Sequence, residues 1–434
     1  MILKRIQLGL IHVAVTMTLV PINSTLNRVM IKELAIAATI VAVLASLPYF
    51  ISPMQVAIGS FADRNPIFGW RRTPYIILGL IFCVLGVTLT PVAAYNIEQG
   101  SLGGWIFAIF AFGCWGMGYN FSTVSYLSLA TELSGEKGRG GTIAVMWFMM
   151  IVSIILTALV LSRLLDPYSP EILIRAFRLV GLASLVIGFL GLVKLEPRHL
   201  TEKVVKTTRH SWGTLMSAIL SNRQATLFFI YLVLLLAALL GQDILLEPFA
   251  GQAFQMAVKT TTRITSIWGV SALITLAIAG MLEKRVNKKV IATWGGSIAL
   301  AGFILIAVSG IIINPMVFYT GVVLLGLGTG FSTVSNLSLM LDMTTASNVG
   351  LFIGAWGVAS SVSRLLGSMF AGVVRDVVTA VLQHPVLGYV VVFSLEAGFL
   401  LTSLLLLTRI NVDAFRQEAD APSLVERTAI SSEM

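Results

Sequence analysis

Apolar runs long enough to cross a lipid bilayer recur along the chain, and they constrain its fold more than any other feature. "ELAIAATIVAVLASLPYF" occupies 33–50 and "LGYVVVFSLEAGFLLTSLLLL" occupies 387–407. Each approaches the ~20 residues an α-helix needs to cross a ~30 Å hydrocarbon core. Only 11% of the 434 residues are charged and 57% are hydrophobic, against about 25% charged in soluble domains. The chain reads as an all-α polytopic membrane protein.

Twelve spans are expected, at 6–27, 34–62, 73–95, 103–131, 141–163, 172–194, 225–247, 262–283, 290–312, 317–341, 349–373 and 387–408. The only long interior connection, 195–224, is polar and basic. It divides the chain into a six-helix bundle (1–194), a linker (195–224), a second six-helix bundle (225–408) and a tail (409–434). Placing the N-terminus inside puts 20 of the 29 basic residues on the cytoplasmic side, eight outside and Arg364 within span 11. By the positive-inside rule, both termini and the linker are then cytoplasmic. Lys4 and Arg5 precede an apolar run as in a signal peptide, but no small-residue cleavage site follows, so a retained first helix is expected.

The net charge of +9 is accordingly a topology signal, with no nucleic-acid partner implied. Cys83 and Cys114 lie in apolar runs, and the four histidines form no paired pattern. No disulfide framework or metal site is expected. No nucleophile is placed with a base, so no catalytic residue and no enzyme are expected.

One nonapeptide occurs almost unchanged in both halves. "FSTVSYLSL" (121–129) and "FSTVSNLSL" (331–339) share eight of nine residues, in spans 4 and 10. Gly118 matches Gly328, Glu132 matches Asp342, Gly140 matches Gly350, and Asp166 matches Asp376. The halves read as a duplicated six-helix unit, giving two pseudo-symmetric bundles. Serines recur every three residues after glycines, at Ser122, Ser125 and Ser128 and again at Ser332, Ser335 and Ser338. Two readings stand: close helix packing through small residues, or a polar strip lining a central cavity.

Between spans 2 and 3 the chain reads "GSFADRNPIFGWRRTPY" (59–75). Asp63 ends span 2, where the helix dipole disfavours a carboxylate. It therefore needs positive charge, from Arg64, Arg71 and Arg72 or from the N-terminus of another helix. The second half carries a degraded copy, "AGMLEKRVNKK" (279–289), with Glu283, Lys284 and Arg285. The pattern Gly59, Asp63, Arg64, Gly69, Arg71, Arg72 resembles the G-x-x-x-D-R-x-G-R-R signature of the major facilitator superfamily, lengthened before Gly69. That resemblance implies a latch between the halves, with Asp63 near Ser347–Gly350 and Glu283 near Gly140.

A narrower resemblance lies at the expected outer end of span 7. "GQDILLEPFAGQAF" (241–254) is similar to the Q-D-x-L-L-E-P-x-x-G run of the bacteriochlorophyll delivery family, the PucC- and LhaA-like proteins of phototrophs. Its residues here are Gln242, Asp243, Leu246, Glu247, Pro248 and Gly251. The lengthened loop, "LDPYSPEIL" (165–173) and "YVVVFSLE" (389–396) also resemble that family. The resemblance implies a role in assembling light-harvesting or photosystem complexes by handling chlorophyll or bacteriochlorophyll, in a thylakoid, intracytoplasmic or plasma membrane. Its implied partners are subunits of those complexes, the pigment and the bilayer. Read from the residues alone, Gln242, Asp243 and Glu247 are either an interfacial polar cap or a gate or docking site, with Pro248 stopping the helix.

Ionisable residues inside a bilayer are costly and mark functional sites by default. Arg364 lies nine residues before the expected end of span 11, and Glu396 nine after the expected start of span 12. Equal depth predicts an ion pair between them, with a structural role or one in binding pigment or partner. His12 in span 1 is a possible axial ligand for a pigment's magnesium or a helix-contact residue, and Asn120 and Asn336 are weaker ligands of the same kind. A proton-coupled transporter of a small solute is the competing function. It would be expected to place acids in the cavity-lining spans 1, 4, 7 and 10, and between their ends spans 1, 4 and 10 contain none.

Overall fold

The computed structural model describes residues 2–198, 223–283, 285–342 and 349–411, almost all of them helical. The chain forms twelve helical spans in two six-helix bundles, and among the described residues eleven helices are long and apolar enough to cross a membrane. It is an integral membrane protein. The expected spans are found with shifted ends. Span 1 runs Ile2–Glu33, span 3 Thr73–Glu98, span 4 Leu102–Gly135, span 5 Gly140–Leu164 and span 6 Pro170–Leu192. Spans 8 to 12 run Val258–Leu282, Lys288–Ile312, Pro315–Asp342, Val349–Leu382 and Pro385–Arg409. The linker and tail lie mostly outside the described residues.

Span 2 is not continuous. It is built from three pieces, Ala38–Ala45, Leu47–Phe50 and Met54–Arg64. Pro48 and Pro53 supply no backbone N–H and clash with the preceding turn, so the α ladder restarts twice. Span 7 is likewise divided, into Arg223–Gly241, a tighter turn at Gln242–Ile244 and a final segment Leu246–Ala253. The expectation that Pro248 stops the helix is corrected: it sits in the first turn of the last segment, where its missing N–H has no partner to lose. Span 1 widens into π-helical turns at Pro21–Leu26 and Val29–Glu33. Spans 4 and 5 part at Gly135, whose φ of 61° suits glycine.

The repeated nonapeptide is where span 4 meets span 3 and span 10 meets span 9. A Cβ on Gly79 would stand 2.3 Å from Ser122 Oγ, and one on Gly118 only 2.3 Å from the Cys83 backbone nitrogen. In the second half a Cβ on Gly295 would stand 2.6 Å from Ser332 Oγ, and one on Gly328 2.5 Å from the Ala299 nitrogen. Each repeat is thus a small-residue groove that lets two backbones touch, the close packing on which helix association in lipid depends. Ser122 donates to the Ile76 carbonyl across that contact. Of the two sequence readings, the geometry supports packing.

Both ends of the described chain lie on one face. Arg5 donates to the Gly138 carbonyl, and Gln7 to that of Val193. Asn411 donates its backbone N–H to Gln224, and Lys289 donates to the Ile410 carbonyl. This end is called the terminal face, and the opposite end the far face. The halves meet along a seam formed by spans 1, 2 and 5 of the first and 7, 8 and 11 of the second.

Candidate functional site

The Q-D-x-L-L-E-P run is not an interfacial cap. Gln242 and Glu247 are each 2% exposed, and the run forms the break of span 7, facing the other half. Spans 7 and 11 cross at two glycines, where a Cβ on Gly241 would stand 3.0 Å from the Gly367 backbone. That approach brings Arg364 Nη1 within 2.8 Å of Asp243 Oδ2. Gln242 Nε2 donates to the other oxygen of Asp243 at 2.8 Å.

The expected Arg364–Glu396 pair is therefore corrected to Arg364–Asp243. Span 11 continues to Leu382, nine residues beyond its expected end. Arg364 then lies 18 residues from the far end of its helix (382 − 364), and Glu396 11 residues into span 12 (396 − 385). At ~1.5 Å per residue the two differ by roughly 10 Å in depth. Glu396 is 1% exposed, and neither of its oxygens has a hydrogen-bond partner among the described residues.

Glu247 joins the halves. Its Oε1 accepts from Ser24 Oγ of span 1 at 2.5 Å and from Thr265 Oγ of span 8 at 2.8 Å. Leu246 is buried beside it. Gly251 has its own reason: a Cβ there would stand 3.0 Å from Lys32 Cδ and 3.2 Å from Arg28 Nε. Sequence reasoning missed Arg28, placing it outside the bilayer after a span ending at 27. It lies inside span 1, 1% exposed, 2.5 Å from Glu33 Oε1 and donating to the Met256 carbonyl of the other half. The signal was present as R-x-x-x-K-E, a basic pair one turn apart with a carboxylate at hand.

Two further ties close the far face, and they involve the matched residues Asp166 and Asp376. Asp376 accepts from the backbone N–H groups of Ala38 and Thr39 and from Thr39 Oγ, capping span 2 from the other half. Arg375 holds that carboxylate at 2.9 Å and reaches Gln252. Asp166 pairs with Lys259, while Ser162 donates to the Lys259 carbonyl and accepts from Arg263.

On the terminal face the loop motif forms a network within the first half. Asp63 pairs with Arg71 at 3.3 Å and Arg72 at 2.6 Å, and Arg72 also holds Glu132 at 2.8 Å. Lys288 and Asp342 repeat the Arg72–Glu132 contact in the second half at 2.7 Å. Glu196, just after span 6, accepts from the N–H groups of Arg71, Arg72 and Thr73 and so caps span 3. Gly69 has a φ of 81°, which turns the loop toward Arg198. Ser347 and Lys284 lie outside the described residues. Glu283 Oε1 is buried without a partner among the described residues, and nothing lies within 4 Å of a Cβ on Gly140, so the expected Glu283–Gly140 contact is absent there. No contact between halves is described for Gly59, Arg64 or Arg285.

The three ligand candidates fare differently. Asn120 gives its oxygen to Gln55 at 2.5 Å and its amide to the Pro48 carbonyl, at the break in span 2. Asn336 gives its oxygen to the Tyr231 hydroxyl at 2.5 Å. Both are corrected to helix-packing residues with their oxygens engaged. His12 is buried and edge-on to Tyr126, with ring centroids 5.2 Å apart and neither ring nitrogen hydrogen-bonded among the described residues. It has no open face on which a macrocycle could lie. The seam holds a small cavity of about 10 Å³, room for one water, lined by Asn23, Ser46, Tyr49, Asp243, Arg364 and Ser368, far below the ~300–1,000 Å³ of typical organic-ligand sites. The structure as it stands does not fit a whole tetrapyrrole at these residues.

Two six-helix bundles around a polar seam define a protein with the fold of major facilitator transporters. Solved structures agree. The nucleoside transporter NupG superposes with a TM-score of 0.74 at 14% identity, covering 94% of this chain and 99% of its own. A bacterial homologue of the lysosomal transporter Spinster, inward-facing and occupied, gives 0.75 at 12%, covering 96% and 98%. A family model described as PUCC protein matches residues 25–415, and the chain belongs to that family. Protein PucC of Cereibacter sphaeroides is 30% identical over 93% of this chain and 91% of its own length. Protein PucC of Rhodovulum sulfidophilum is 31% identical over 86% and 85%. A Rhodobacter capsulatus protein called bacteriochlorophyll synthase 44.5 kDa chain is 26% identical over 98% of both.

Proposed function

We propose that this chain is a membrane protein of phototrophs that assists assembly of light-harvesting or photosystem complexes, handling (bacterio)chlorophyll-type pigment as cargo. One observation carries the reading: the family's Q-D-x-L-L-E-P run is the break in span 7 that ties the halves together through Glu247. Family membership over 25–415 and the pigment-related name of one relative support it. The chain acts as a carrier or assembly factor and not as an enzyme, in keeping with its transporter neighbours. Its terminal face is cytoplasmic, and it resides in the photosynthetic (thylakoid or intracytoplasmic) or plasma membrane. The loop between spans 2 and 3, held in shape by the Asp63–Arg71–Arg72–Glu132 network, serves as part of the latch between the halves.

The test is a deletion strain. Accumulation of at least one pigment–protein complex should fall while free pigment is still made. Complementation with Asp243→Asn/Glu247→Gln should leave insertion intact and fail to restore the complex. Normal levels of every photosynthetic complex, with lost uptake of a small solute, would favour a proton-coupled solute transporter instead. That second reading is favoured by three acids in the second half's membrane-spanning segments, Asp243, Glu247 and Glu396.

A further inference from the structure

The loop between spans 2 and 3 is longer than its ion pairs need. Nine positions separate Asp63 from Arg72 (72 − 63), but only five separate Glu283 from Lys288 (288 − 283), which makes the matching pair in the second half. The extra residues form a tight turn. Ile67 and Trp70 exchange both backbone hydrogen bonds, at 2.9 and 3.0 Å, and Phe68 and Gly69 between them have φ of 53° and 81°. A two-residue hairpin of this hand requires two positive φ values, and asparagine, aspartate or glycine is usual at the first of them. A bulky aromatic there is strained, and such strain points to a presented side chain. Phe68 is 86% exposed, and Ile67 beside it is exposed as well. The turn is also braced. The Tyr75 hydroxyl donates to the Asn65 carbonyl, Trp70 Nε1 donates to that of Glu196, and the Arg198 guanidinium lies 4.8 Å from the Trp70 ring centroid.

We propose that this turn is a lipid anchor: Phe68 and Ile67 enter the headgroup layer of the protein's own membrane, and Arg64, Lys194 and Arg198 hold an anionic phospholipid beside them. Depth, position and charge each select lipid. Span 3 has 26 residues, roughly 39 Å at ~1.5 Å each, against a ~30 Å hydrocarbon core. Its first turn begins at Thr73, three residues after Trp70, and so lies in the headgroup layer, within reach of the acyl chains. The hairpin rests on 196–198, just past the exposed apolar row Val186, Phe189, Leu190 and Val193 of span 6. Spans 3 and 6 lie outside the seam, so the tip continues a lipid-facing surface. Arg64, Lys194 and Arg198 are exposed. The neighbouring carboxylates are engaged, Asp63 and Glu132 by Arg72 and Glu196 by backbone N–H groups. Cations beside an apolar anchor are drawn to anionic lipid, each favouring binding about fivefold.

The inference goes beyond the pigment reading and does not rest on it. The full chain carrying a nitroxide at Phe68→Cys, in a background lacking Cys114, tests the depth in nanodiscs of phosphatidylglycerol or of phosphatidylcholine. Collision with oxygen against a water-soluble nickel chelate reports whether the label lies in lipid or in water. In phosphatidylglycerol the label should lie below the phosphates, and in phosphatidylcholine it should be several-fold more open to nickel. A label at Arg285→Cys, on the shorter loop of the second half, should stay in water in both. Native mass spectrometry of protein released from mixed discs reads the selectivity. The unaltered chain should retain phosphatidylglycerol in preference to phosphatidylcholine. Arg64→Gln/Arg198→Gln should lower that preference about 25-fold, two steps of about fivefold. Phe68→Gly should lower it too while keeping or raising the melting temperature in detergent, because glycine suits the positive φ. A label in water in both lipids, equal depth in both, or an unchanged preference in Phe68→Gly would overturn the proposal. A lowered melting temperature in Phe68→Gly would make the turn a packing element and overturn it as well. So would a label immobilised in native membranes but not in phosphatidylglycerol discs, which would assign the turn to a protein partner, or spin–spin broadening, which would assign it to a second copy. A normal deletion phenotype would refute the pigment reading and leave this result untouched.

Discussion

Replacing Asp376 by asparagine should loosen the far face. Its carboxylate accepts three hydrogen bonds from Ala38 and Thr39, at 3.1, 2.7 and 2.7 Å, across the seam. The side chain is 21% exposed and is steadied by Arg375. A negative charge at a helix N-terminus contributes up to ~2 kcal/mol when partly buried, and a hydrogen bond to a charged group about 1.5–3 kcal/mol. Asparagine keeps one acceptor and turns an N–H₂ toward the remaining donors. A net loss of about 2 kcal/mol from the closed state multiplies the open-to-closed ratio about 30-fold. Spin labels at Gln99→Cys and Met316→Cys, both near the far face on opposite halves, would report it by pulsed electron resonance in a background lacking Cys114. The distance distribution should lengthen or broaden toward an open far face. Thr39→Val removes only the hydroxyl bond and should shift it less. An unchanged distribution from a folded Asp376→Asn protein would refute the role of this carboxylate in closing the halves.

In a double-mutant cycle on detergent stability, Arg364→Gln and Asp243→Asn should each cost about 3–5 kcal/mol, with the double variant well short of their sum. Arg364→Gln with Glu396→Gln should be additive within about 0.5 kcal/mol, since those groups do not pair. Gly328→Ala should lower the melting temperature by a loss of about 1–3 kcal/mol, because its Cβ meets backbone at 2.5 Å. Gly113→Ala, with nothing within 4 Å of the added carbon, should be neutral or slightly stabilising. Single cysteines at Gln99 and Thr208 should label from opposite sides of the membrane, and equal labelling from the outer side would defeat the orientation.

Much of the fold was legible because crossing a bilayer leaves a long apolar run whatever the packing. The duplicated nonapeptide was legible for a related reason: close helix contact tolerates few residue types, so both copies kept Gly, Ser and their spacing. Ends and partners were harder to read. Arg28 looked like a loop residue because a charge normally ends a span, yet Glu33, the Met256 carbonyl and the space left by Gly251 keep it inside. Depth counted from an assumed helix end misled the pairing of Arg364, since span 11 is nine residues longer than its apolar core suggested. Glu196 gave no sign in the sequence that it would cap span 3, because capping by a residue more than a hundred positions away has no local pattern.

Spans 1 and 7, the first helices of their halves, both leave regular α geometry, one through wide turns at Pro21–Leu26 and the other through a tight turn at Gln242–Ile244. A regular helix is stiff along its length because bending it stretches a continuous ladder of bonds on one side. Where the ladder is already interrupted, the rod behaves as two shorter levers sharing a hinge. Ser24 and Glu247, which join these two helices, sit at or just beyond those hinges. A push on one upper lever is therefore passed to the other, while the lower segments stay in register. Mechanically, the far-side thirds of spans 1 and 7 form a coupled pair of arms on a rigid base.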